Sequence, residues 1–288
     1  MGNKVVKVSF PASCGELVQG KINNERFLCS YAINCYTHVT IKKVEEGSNI
    51  LLPEKAQKLV NFTKKFIRDS EKKWEKIDIQ IDNSIPYEKG MGSSTADLVS
   101  LSIALSEYFD LNWNPTFIAK VLTQIEATDS LVFPSLTLMN PDTGESILNF
   151  TQDKYYSVAC IIPSESINTS TIISSYSERD WNIKAYSDLL NQTTKAFDCH
   201  SLDQLIKVAE LSALLNEKIL TKPFLEGLIK LKSIQGIKGL NVSHTGTVIG
   251  IIYDESVINK IMVTNLIQSI DLVSYYQIKH YKMVLPYH

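Results

Sequence analysis

The sequence has no excess of either charge. It holds 29 Lys and Arg residues against 31 Asp and Glu residues, which leaves a formal net charge of −2. A protein that binds nucleic acid through a broad basic face needs a surplus of Lys and Arg, so this balance argues against one. Glycine and proline are also scarce, at 12 and 9 residues. Their scarcity excludes a collagen-like or low-complexity chain.

Long apolar runs are absent as well. No uninterrupted run approaches the ~20 residues that span a bilayer, and the opening MGNKVVKVSF lacks the apolar stretch of a secretory signal. The cysteines, Cys14, Cys29, Cys35, Cys160 and Cys199, form no Cys-x-x-Cys pair. Their odd number and their spacing argue against a disulfide framework or a zinc ribbon. We expect a cytoplasmic protein with no membrane segment.

What remains has the composition of a soluble globular protein. Hydrophobic residues make up 44% of the chain and charged residues 21%, with a mean hydropathy of −0.04. At roughly 100–200 residues per domain, 288 residues favour two domains. The residue pattern changes after Gln152, so we expect an N-terminal domain over 1–152 and a C-terminal domain over 153–288.

Hydrophobic periodicity predicts a mixture of helices and strands, and hence an α+β chain. The small residues of 11–20 predict a loop after the first strand. The predicted strands are 4–10, 26–29, 37–44, 77–81, 156–162, 239–242, 247–253 and 275–285. The predicted helices are 55–72, 95–109, 115–125, 185–197, 202–219, 224–234 and 256–270.

The strongest chemical signal is the segment GMGSSTAD at 90–97. Two glycines allow close approach of the backbone to a ligand, and the N-terminus of the helix that follows attracts phosphate. Asp97 stands three residues after Ser94, at the spacing of a capping box. The segment lacks the Gly-Lys-Ser/Thr ending of a P-loop and the third glycine of a dinucleotide fingerprint. Taken alone, it also fits an ordinary capped helix after a tight turn.

Two further motifs accompany this loop. PASCGELVQG occupies 11–20, Ile85-Pro86 precedes the loop, and VSHTGTV occupies 242–248. With these three motifs in this order, the chain resembles the GHMP kinases, which include galactokinase, homoserine kinase and mevalonate kinase. The resemblance implies a two-domain α+β fold. Its N-terminal domain would be like domain 2 of ribosomal protein S5 and its C-terminal domain ferredoxin-like, with the active site in the cleft between them.

Within this superfamily the motifs are most similar to those of the L-threonine kinases of cobalamin synthesis. The segments that carry this narrower resemblance are SCGELVQG, KGMGSSTAD at 89–97, Glu126-x-Thr128-Asp129 and SHTGT at 243–247. It implies ATP-dependent phosphorylation of the hydroxyl of free L-threonine to O-phospho-L-threonine, with Mg²⁺. One alternative is a kinase of homoserine, serine or another small alcohol. A second is a sensor of the same fold that binds ATP or a ligand without chemistry.

The resemblance also implies roles for individual residues. The ATP phosphates would be bound by Lys89, Gly90, Met91, Gly92, Ser93, Ser94 and Thr95. Ser94 and Glu126 would hold magnesium, since Mg²⁺ takes few carboxylates beside phosphate oxygens. Asp129 matches the position of a catalytic base, although members with that base often carry a Lys where this chain has Ser13. Whether Asp129 acts as a base or only electrostatically is therefore left open.

The acceptor substrate is expected in the first and third motifs. A free amino acid carries an ammonium group that needs a carboxylate partner, and Glu16 is the candidate, unless it is only a solvated loop residue. Gly246 is expected to have a positive φ. The substrate residues predicted by resemblance are Ser13, Glu16, Gln19, His244, Thr245 and Gly246. No residue is assigned to the substrate carboxylate. The expected partner is a small molecule rather than a nucleic acid, and a homodimer is left open.

Overall fold

The computed structural model describes residues 4–45, 52–164, 182–222, 224–270 and 276–287. Within these ranges the chain forms nine β-strands and seven α-helices. The strands are β1 (Val5–Ile22), β2 (Glu25–Lys43), β3 (Ile77–Asn83), β4 (Leu136–Met139), β5 (Ser146–Phe150), β6 (Ser157–Pro163), β7 (Ile237–Val242), β8 (Ile249–Tyr253) and β9 (Tyr276–Val284). The helices are α1 (Glu54–Asp69), α2 (Ser93–Tyr108), α3 (Pro115–Leu122), α4 (Ile183–Asp198), α5 (Leu202–Glu217), α6 (Leu225–Lys230) and α7 (Lys260–Gln268).

The strands form one antiparallel sheet. Its order is β1-β7-β8-β6-β9-β2-β4-β5, with β3 also paired to β2. Because β1 pairs with β2 as well as with β7, six of the strands close a circuit. The mixture of helices and strands that the sequence predicts is confirmed. The sheet contains strands from both sides of residue 152, and the domain boundary placed there stays a prediction, as does the cleft between two domains.

The predicted loop at 11–20 is wrong, because β1 continues without a break to Ile22. Its pairing with β2 shifts register between Pro11 and Ala12 and twice more around Glu16. Gly15 has a φ of +69° within this irregular stretch. Such bulges interrupt the alternation of buried and exposed side chains. The period-2 signal of a strand is therefore missing from the sequence here.

The other predicted helices and strands occur close to their expected bounds, with three exceptions. The strands expected over 26–29 and 37–44 are one continuous strand, β2. The helix expected over 224–234 is the short α6 followed by a 3-10 turn, Leu231–Ser233. The strands β4 and β5 were not predicted. They have four and five residues, and all four side chains of β4 are buried, so neither length nor alternation marks it as a strand.

Helix α2 lies at the centre of the N-terminal part of the core. Leu98, Val99, Leu101 and Leu105 on different sides of this helix are all at most 2% exposed, because α2 is covered by β1 and β2 on one side and by α1 on the other. Burial on all sides fixes the direction of α2 and hence the place of its N-terminus. Among the described residues, no helix is both long and apolar enough to cross a bilayer.

Candidate active site

A cleft of about 490 Å³ opens at the N-terminus of α2. Its lining comes from the start of α1 and the residue before it, from β1, β2 and β3, and from the segment that begins at Glu126. The residues that line it are Glu16, Gln19, Arg26, Leu28, Pro53, Glu54, Lys55, Ala56, Ile81, Tyr87, Glu88, Gly90, Met91, Gly92, Ser93, Ser94, Thr95, Asp97, Leu98, Glu126, Ala127, Thr128, Asp129, Pro141 and Thr245. The loop at 90–95 contributes all six of its residues to this lining.

This loop brings backbone N–H groups to the cleft. Gly90 and Gly92 have φ values of +79° and +68°, a region that side chains disfavour. Gly92 is the N-cap of α2, and its carbonyl accepts from the N–H of Ala96 at 2.8 Å. No side chain caps this helix, and its first turn contains no acidic residue. The N–H groups of that turn, which lack carbonyl partners inside the helix, are therefore available to an anion.

The capping box expected between Ser94 and Asp97 is wrong. Asp97 is buried and accepts hydrogen bonds from the Thr37 hydroxyl and the Asn83 amide, both at 2.7 Å, and from the Tyr87 hydroxyl at 3.1 Å. The carboxylate is thus used to tie β2 and the loop at 83–87 to α2. Spacing along the chain predicted a local partner, whereas the partners come from other elements.

The three motifs meet through glycines that contact backbone. A Cβ atom on Gly15 would lie 2.5 Å from the Ser243 nitrogen, and one on Gly246 would lie 2.4 Å from the Lys89 carbonyl oxygen. That same carbonyl accepts from the N–H groups of Thr247 and Val248 at 3.0 Å. The expected positive φ at Gly246 is wrong, since its φ lies outside the left-handed region. Its lack of a side chain serves close packing.

The Ser94 hydroxyl donates to Glu126 Oε1 at 2.5 Å. The Nζ atom of Lys55, at the start of α1, bonds the other oxygen of Glu126 and lies 3.3 Å from the Ser94 hydroxyl. The hydroxyl and carboxylate are hard oxygen donors close enough to share one cation, which is what Mg²⁺ needs beside phosphate. No cluster of three or more His, Cys, Asp or Glu side chains fit for a metal occurs among the described residues. A magnesium ion here would therefore depend on ligand oxygens as well.

Asp129 also lines the cleft and is buried, at 9% exposure. Its carboxylate accepts from the Leu131 N–H at 3.3 Å. Burial, together with the negative charge of Glu16, raises the pKa of Asp129 from 3.8 to about 7. A carboxyl group with a pKa near neutrality is suited to take up a proton during catalysis.

Glu16 is held by His244 from behind the cleft. The Glu16 Oε2 atom accepts from the His244 backbone N–H at 2.8 Å and lies 3.2 Å from the His244 Nδ1. The His244 Nε2 is 2.8 Å from the Ser212 hydroxyl, which also accepts from the Gln19 N–H at 3.1 Å. Glu16 is thus no solvated loop residue. One of its oxygens is engaged by protein while its side chain lines the cleft.

The structure separates the predicted site residues into two groups. Those that line the cleft are Glu16, Gln19, Gly90, Met91, Gly92, Ser93, Ser94, Thr95, Glu126, Asp129 and Thr245. Ser13, Lys89, His244 and Gly246 are not among the lining residues and pack behind it. Ser13 donates its N–H to Met91 at 3.0 Å, and the Lys89 ammonium donates to the Ser164 carbonyl at 3.0 Å.

Lys55, Tyr87 and Arg26 are among the lining residues that the sequence did not predict for the site. Lys55 begins an amphipathic helix, and Tyr87 stands in the loop before the glycines. Arg26 lies near the start of β2, with its Nη1 2.8 Å from the Asp142 carboxylate. Nothing local distinguishes these residues from other surface lysines, tyrosines and arginines. Only the fold brings them to the cleft.

Residues 57–133, which include this loop and both acids, match the family described as the GHMP kinases N-terminal domain. The chain is thus similar to the GHMP kinases, with the family match confined to this N-terminal segment. It is 28% identical to an L-threonine kinase of Citrobacter freundii over 250 residues, 85% of each chain. It is 27% identical to an L-threonine kinase of Salmonella typhimurium over 267 residues, 88% of this chain and 84% of that one.

Solved structures share the GHMP kinase fold. The mevalonate kinase of Methanococcus jannaschii superposes with a TM-score of 0.73 at 13% identity, covering 98% of this chain and 99% of that one. A homoserine kinase from Cytophaga hutchinsonii gives a TM-score of 0.69 at 13% identity, covering 98% and 95%. The GHMP kinase fold with its mixed α/β content is confirmed, whereas its division into an S5-like and a ferredoxin-like domain stays a prediction. The kinase relatives support a phosphotransferase that uses ATP and a small-molecule substrate.

Proposed function

We propose that this protein transfers the γ-phosphoryl group of ATP to the hydroxyl of L-threonine, giving O-phospho-L-threonine. The observation that carries the proposal is the arrangement of one cleft. A helix N-terminus and the Ser94–Glu126 pair line it, and Glu16 lines it close enough to Asp129 for its charge to act on that carboxyl group. We call the part around these two acids the acceptor end. The two L-threonine kinases that the chain resembles over most of its length favour threonine as the acceptor.

The nucleotide is expected to lie between the start of α1 and the loop at 90–95. The apolar side chains that line the cleft suit a purine ring, and they include Pro53, Ile81, Tyr87 and Leu98. From there the phosphates would run to the N–H groups of residues 90–95 at the start of α2. Lys55 stands beside this path and supplies a positive charge. The Lys89 ammonium, which donates to Ser164, contributes through packing instead.

Ser94 and Glu126 are the residues that would hold Mg²⁺. Their oxygens lie 2.5 Å apart and match the small number of protein ligands that magnesium takes at a phosphate site. When bound, the ion neutralises charge that develops on the phosphate oxygens during transfer. The Lys55 ammonium, which bonds Glu126, holds the carboxylate in place without it.

Asp129 would accept the proton of the substrate hydroxyl. The hydroxyl oxygen forms a bond to the γ-phosphorus, the bond from that phosphorus to the bridging oxygen breaks, and ADP leaves with the electron pair. The proton goes to the Asp129 carboxylate, whose raised pKa makes it a better acceptor near neutral pH. A positioned base of this kind contributes about 10²–10⁴-fold.

The acceptor end of the cleft suits an α-amino acid. Glu16 offers a carboxylate for the ammonium group. Arg26 and Lys55 are the cations among the described residues that line the cleft, and Lys55 bonds Glu126. A guanidinium binds a carboxylate through two parallel hydrogen bonds. We assign the substrate carboxylate to Arg26. Leu28 and Met91 line the same region and offer apolar contact to a methyl group.

The experiment is a coupled ADP-release assay with L-threonine, L-serine and L-homoserine, with the phosphorylated product identified by mass spectrometry. We expect the highest kcat/KM with L-threonine. Because one methyl group is worth only about 1–3 kcal/mol of discrimination, measurable turnover of the other two is compatible with the proposal. Preference for L-homoserine would overturn the choice of substrate, and ATP binding without turnover of any acceptor would overturn the proposed reaction.

A further inference from the structure

A buried lysine stands behind the acceptor end of the cleft. Lys222 is only 3% exposed and follows α5, far in sequence from all three motifs. Its Nζ donates to Asn216 Oδ1 at 3.2 Å and to the Leu220 carbonyl at 3.3 Å. A lysine is almost never fully buried without partners, since taking its charge out of water is costly. Neither the sequence motifs nor the reaction proposed above uses it.

The contacts of Lys222 continue to the cleft in an unbroken chain. The Asn216 Nδ2 donates to the His244 carbonyl at 3.1 Å. The His244 backbone N–H in turn donates to Glu16 Oε2 at 2.8 Å. Asn216 and His244 are 1% and 2% exposed, so water does not compete for these contacts.

Lys222 fixes the orientation of the Asn216 amide in this chain of contacts. An ammonium group only donates, so it dictates that Asn216 turns its Oδ1 towards Lys222 and its Nδ2 towards His244. A carboxylate only accepts, so the His244 Nδ1 carries the proton in its contact with Glu16. Without the ammonium, the Asn216 amide is free to flip, and its oxygen would then face the His244 carbonyl. That like-polarity contact would displace His244 and with it Glu16.

Charge supports the same connection. Burial lowers the pKa of Lys222 to about 8, while the negative charges of Glu16, from β1, and Glu217, from α5, act in the opposite direction. Glu217 also accepts the backbone N–H of Lys222 at 2.8 Å. Asp129, whose pKa the negative charge of Glu16 raises, adds a second buried carboxyl group. The Lys222 ammonium thus lies close enough to offset part of the negative charge that gathers at the acceptor end.

We propose that Lys222 is a positioning residue, which acts through Asn216 and His244 to orient the Glu16 carboxylate for the ammonium group of the acceptor. This inference rests on the proposed function, because it needs an acceptor with an ammonium group. The proposed positioning role makes Lys222 and Asn216 determinants of specificity for amino acids over hydroxy acids, although neither residue lines the cleft.

The test compares Lys222→Met and Asn216→Asp with the wild-type protein, and uses Lys218→Met as the control because Lys218 is the exposed C-cap of α5. L-Threonine is one acceptor, and 3-hydroxybutanoate, its analogue without the amino group, is the other. We expect both variants to raise KM for L-threonine by about tenfold or more, the loss of one well-placed charged contact. The KM for ATP and the turnover of 3-hydroxybutanoate stay at wild-type values.

Asn216→Asp separates orientation from folding. An aspartate keeps and strengthens the contact with Lys222 but has no N–H group for His244. If Asn216 served only to hold Lys222, this variant would leave the kinetics unchanged, and kinetics equal to wild type would overturn the proposal. An equal loss with both acceptors in Lys222→Met would do the same.

The wild-type protein tests the proposed function separately. If it turns over no amino acid, the proposed function is overturned. In that case crystal structures of wild type and Lys222→Met without ligand still test the inference. We expect Glu16 to leave the His244 N–H in the variant. An unchanged Glu16 would overturn the positioning role.

Discussion

Gly90 and Gly246 lie with their backbones in contact. A Cβ atom on Gly246 would lie 2.5 Å from the Gly90 Cα, and one on Gly90 would lie 2.9 Å from the Gly246 Cα. The loop expected to bind phosphate is thus set directly against the third motif, across some 150 residues of chain. The shape of the phosphate loop therefore depends on residues that do not line the cleft.

Gly246→Ala is expected to impair ATP binding, although it adds only one methyl group. The atoms nearest to that methyl group are backbone atoms of Lys89 and Gly90, which move only with the loop itself. We expect about 1–3 kcal/mol of lost stability from overpacking and a clear rise in KM for ATP. Thermal unfolding and steady-state kinetics measure the two effects.

Gly236→Ala is the matched control. Gly236 has a φ of +95°, and its added Cβ would lie 2.6 Å from an Ile258 side-chain carbon, so stability should fall here as well. It does not line the cleft, and KM for ATP should stay unchanged. A similar KM for ATP in both glycine variants would contradict the structural coupling of loop and third motif.

Ser94 and Glu126 are expected to act as one unit. Their oxygens lie 2.5 Å apart, so removing either leaves the other without its partner for a cation. We expect Ser94→Ala and Glu126→Gln each to lower kcat/KM by orders of magnitude and to raise the magnesium concentration for half-maximal activity. The double variant should lose little more than either single one, since groups that act together are non-additive. Additive losses in this double-mutant cycle would argue against a shared ion.

Asp129→Asn should stabilise the protein while it lowers activity. In the native state Asp129 keeps its proton up to about pH 7, whereas the unfolded chain loses it near 3.8. The native state therefore binds more protons between these values, and wild-type stability falls as pH rises from about 4 to 7. Asparagine cannot ionise, so the variant should gain a few kcal/mol over wild type across this window, at about 1.4 kcal/mol per pKa unit. Denaturant unfolding at pH 4 and pH 7 measures it.

The same carboxyl group predicts the pH profile of catalysis. If Asp129 accepts the hydroxyl proton, wild-type kcat/KM should rise with pH and level off near the raised pKa of about 7. Because the charge of Glu16 contributes to that shift, Glu16→Gln should move the rise to lower pH. A profile that is flat from pH 5 to 8 would leave Asp129 with an electrostatic role instead.

The sequence predicted those parts of the site that are encoded locally. Gly90, Gly92, Ser94, Glu126 and Asp129 stand in short motifs whose spacing is visible without a structure. Their assigned roles await the experiments above.

Other features depend on contacts between distant segments. Asp97 matched the spacing of a capping box but is bonded to Thr37 and Asn83, and Gly246 is needed for packing rather than for a positive φ. No local motif marks Lys55, Arg26 or Lys222. Only the closed circuit of strands and the packing of α1 and α5 bring these residues to the cleft or behind it. The strand through 11–20 was missed because its bulges break the alternation.

Arg26→Gln provides the sharpest test of the acceptor end. The guanidinium is held by Asp142 at 2.8 Å through Nη1, and its side chain is only 17% exposed, so it is fixed in direction. If it binds the acceptor carboxylate, the variant should raise KM for L-threonine by about tenfold or more and leave KM for ATP unchanged.

Asp142→Asn is the matched control. It keeps Arg26 but removes the charge of its ion-pair partner, and it should have a smaller effect. An amino alcohol without a carboxylate, 1-amino-2-propanol, should be turned over equally by wild type and Arg26→Gln. A larger loss in Asp142→Asn than in Arg26→Gln would show that the pair serves the hairpin and not the substrate.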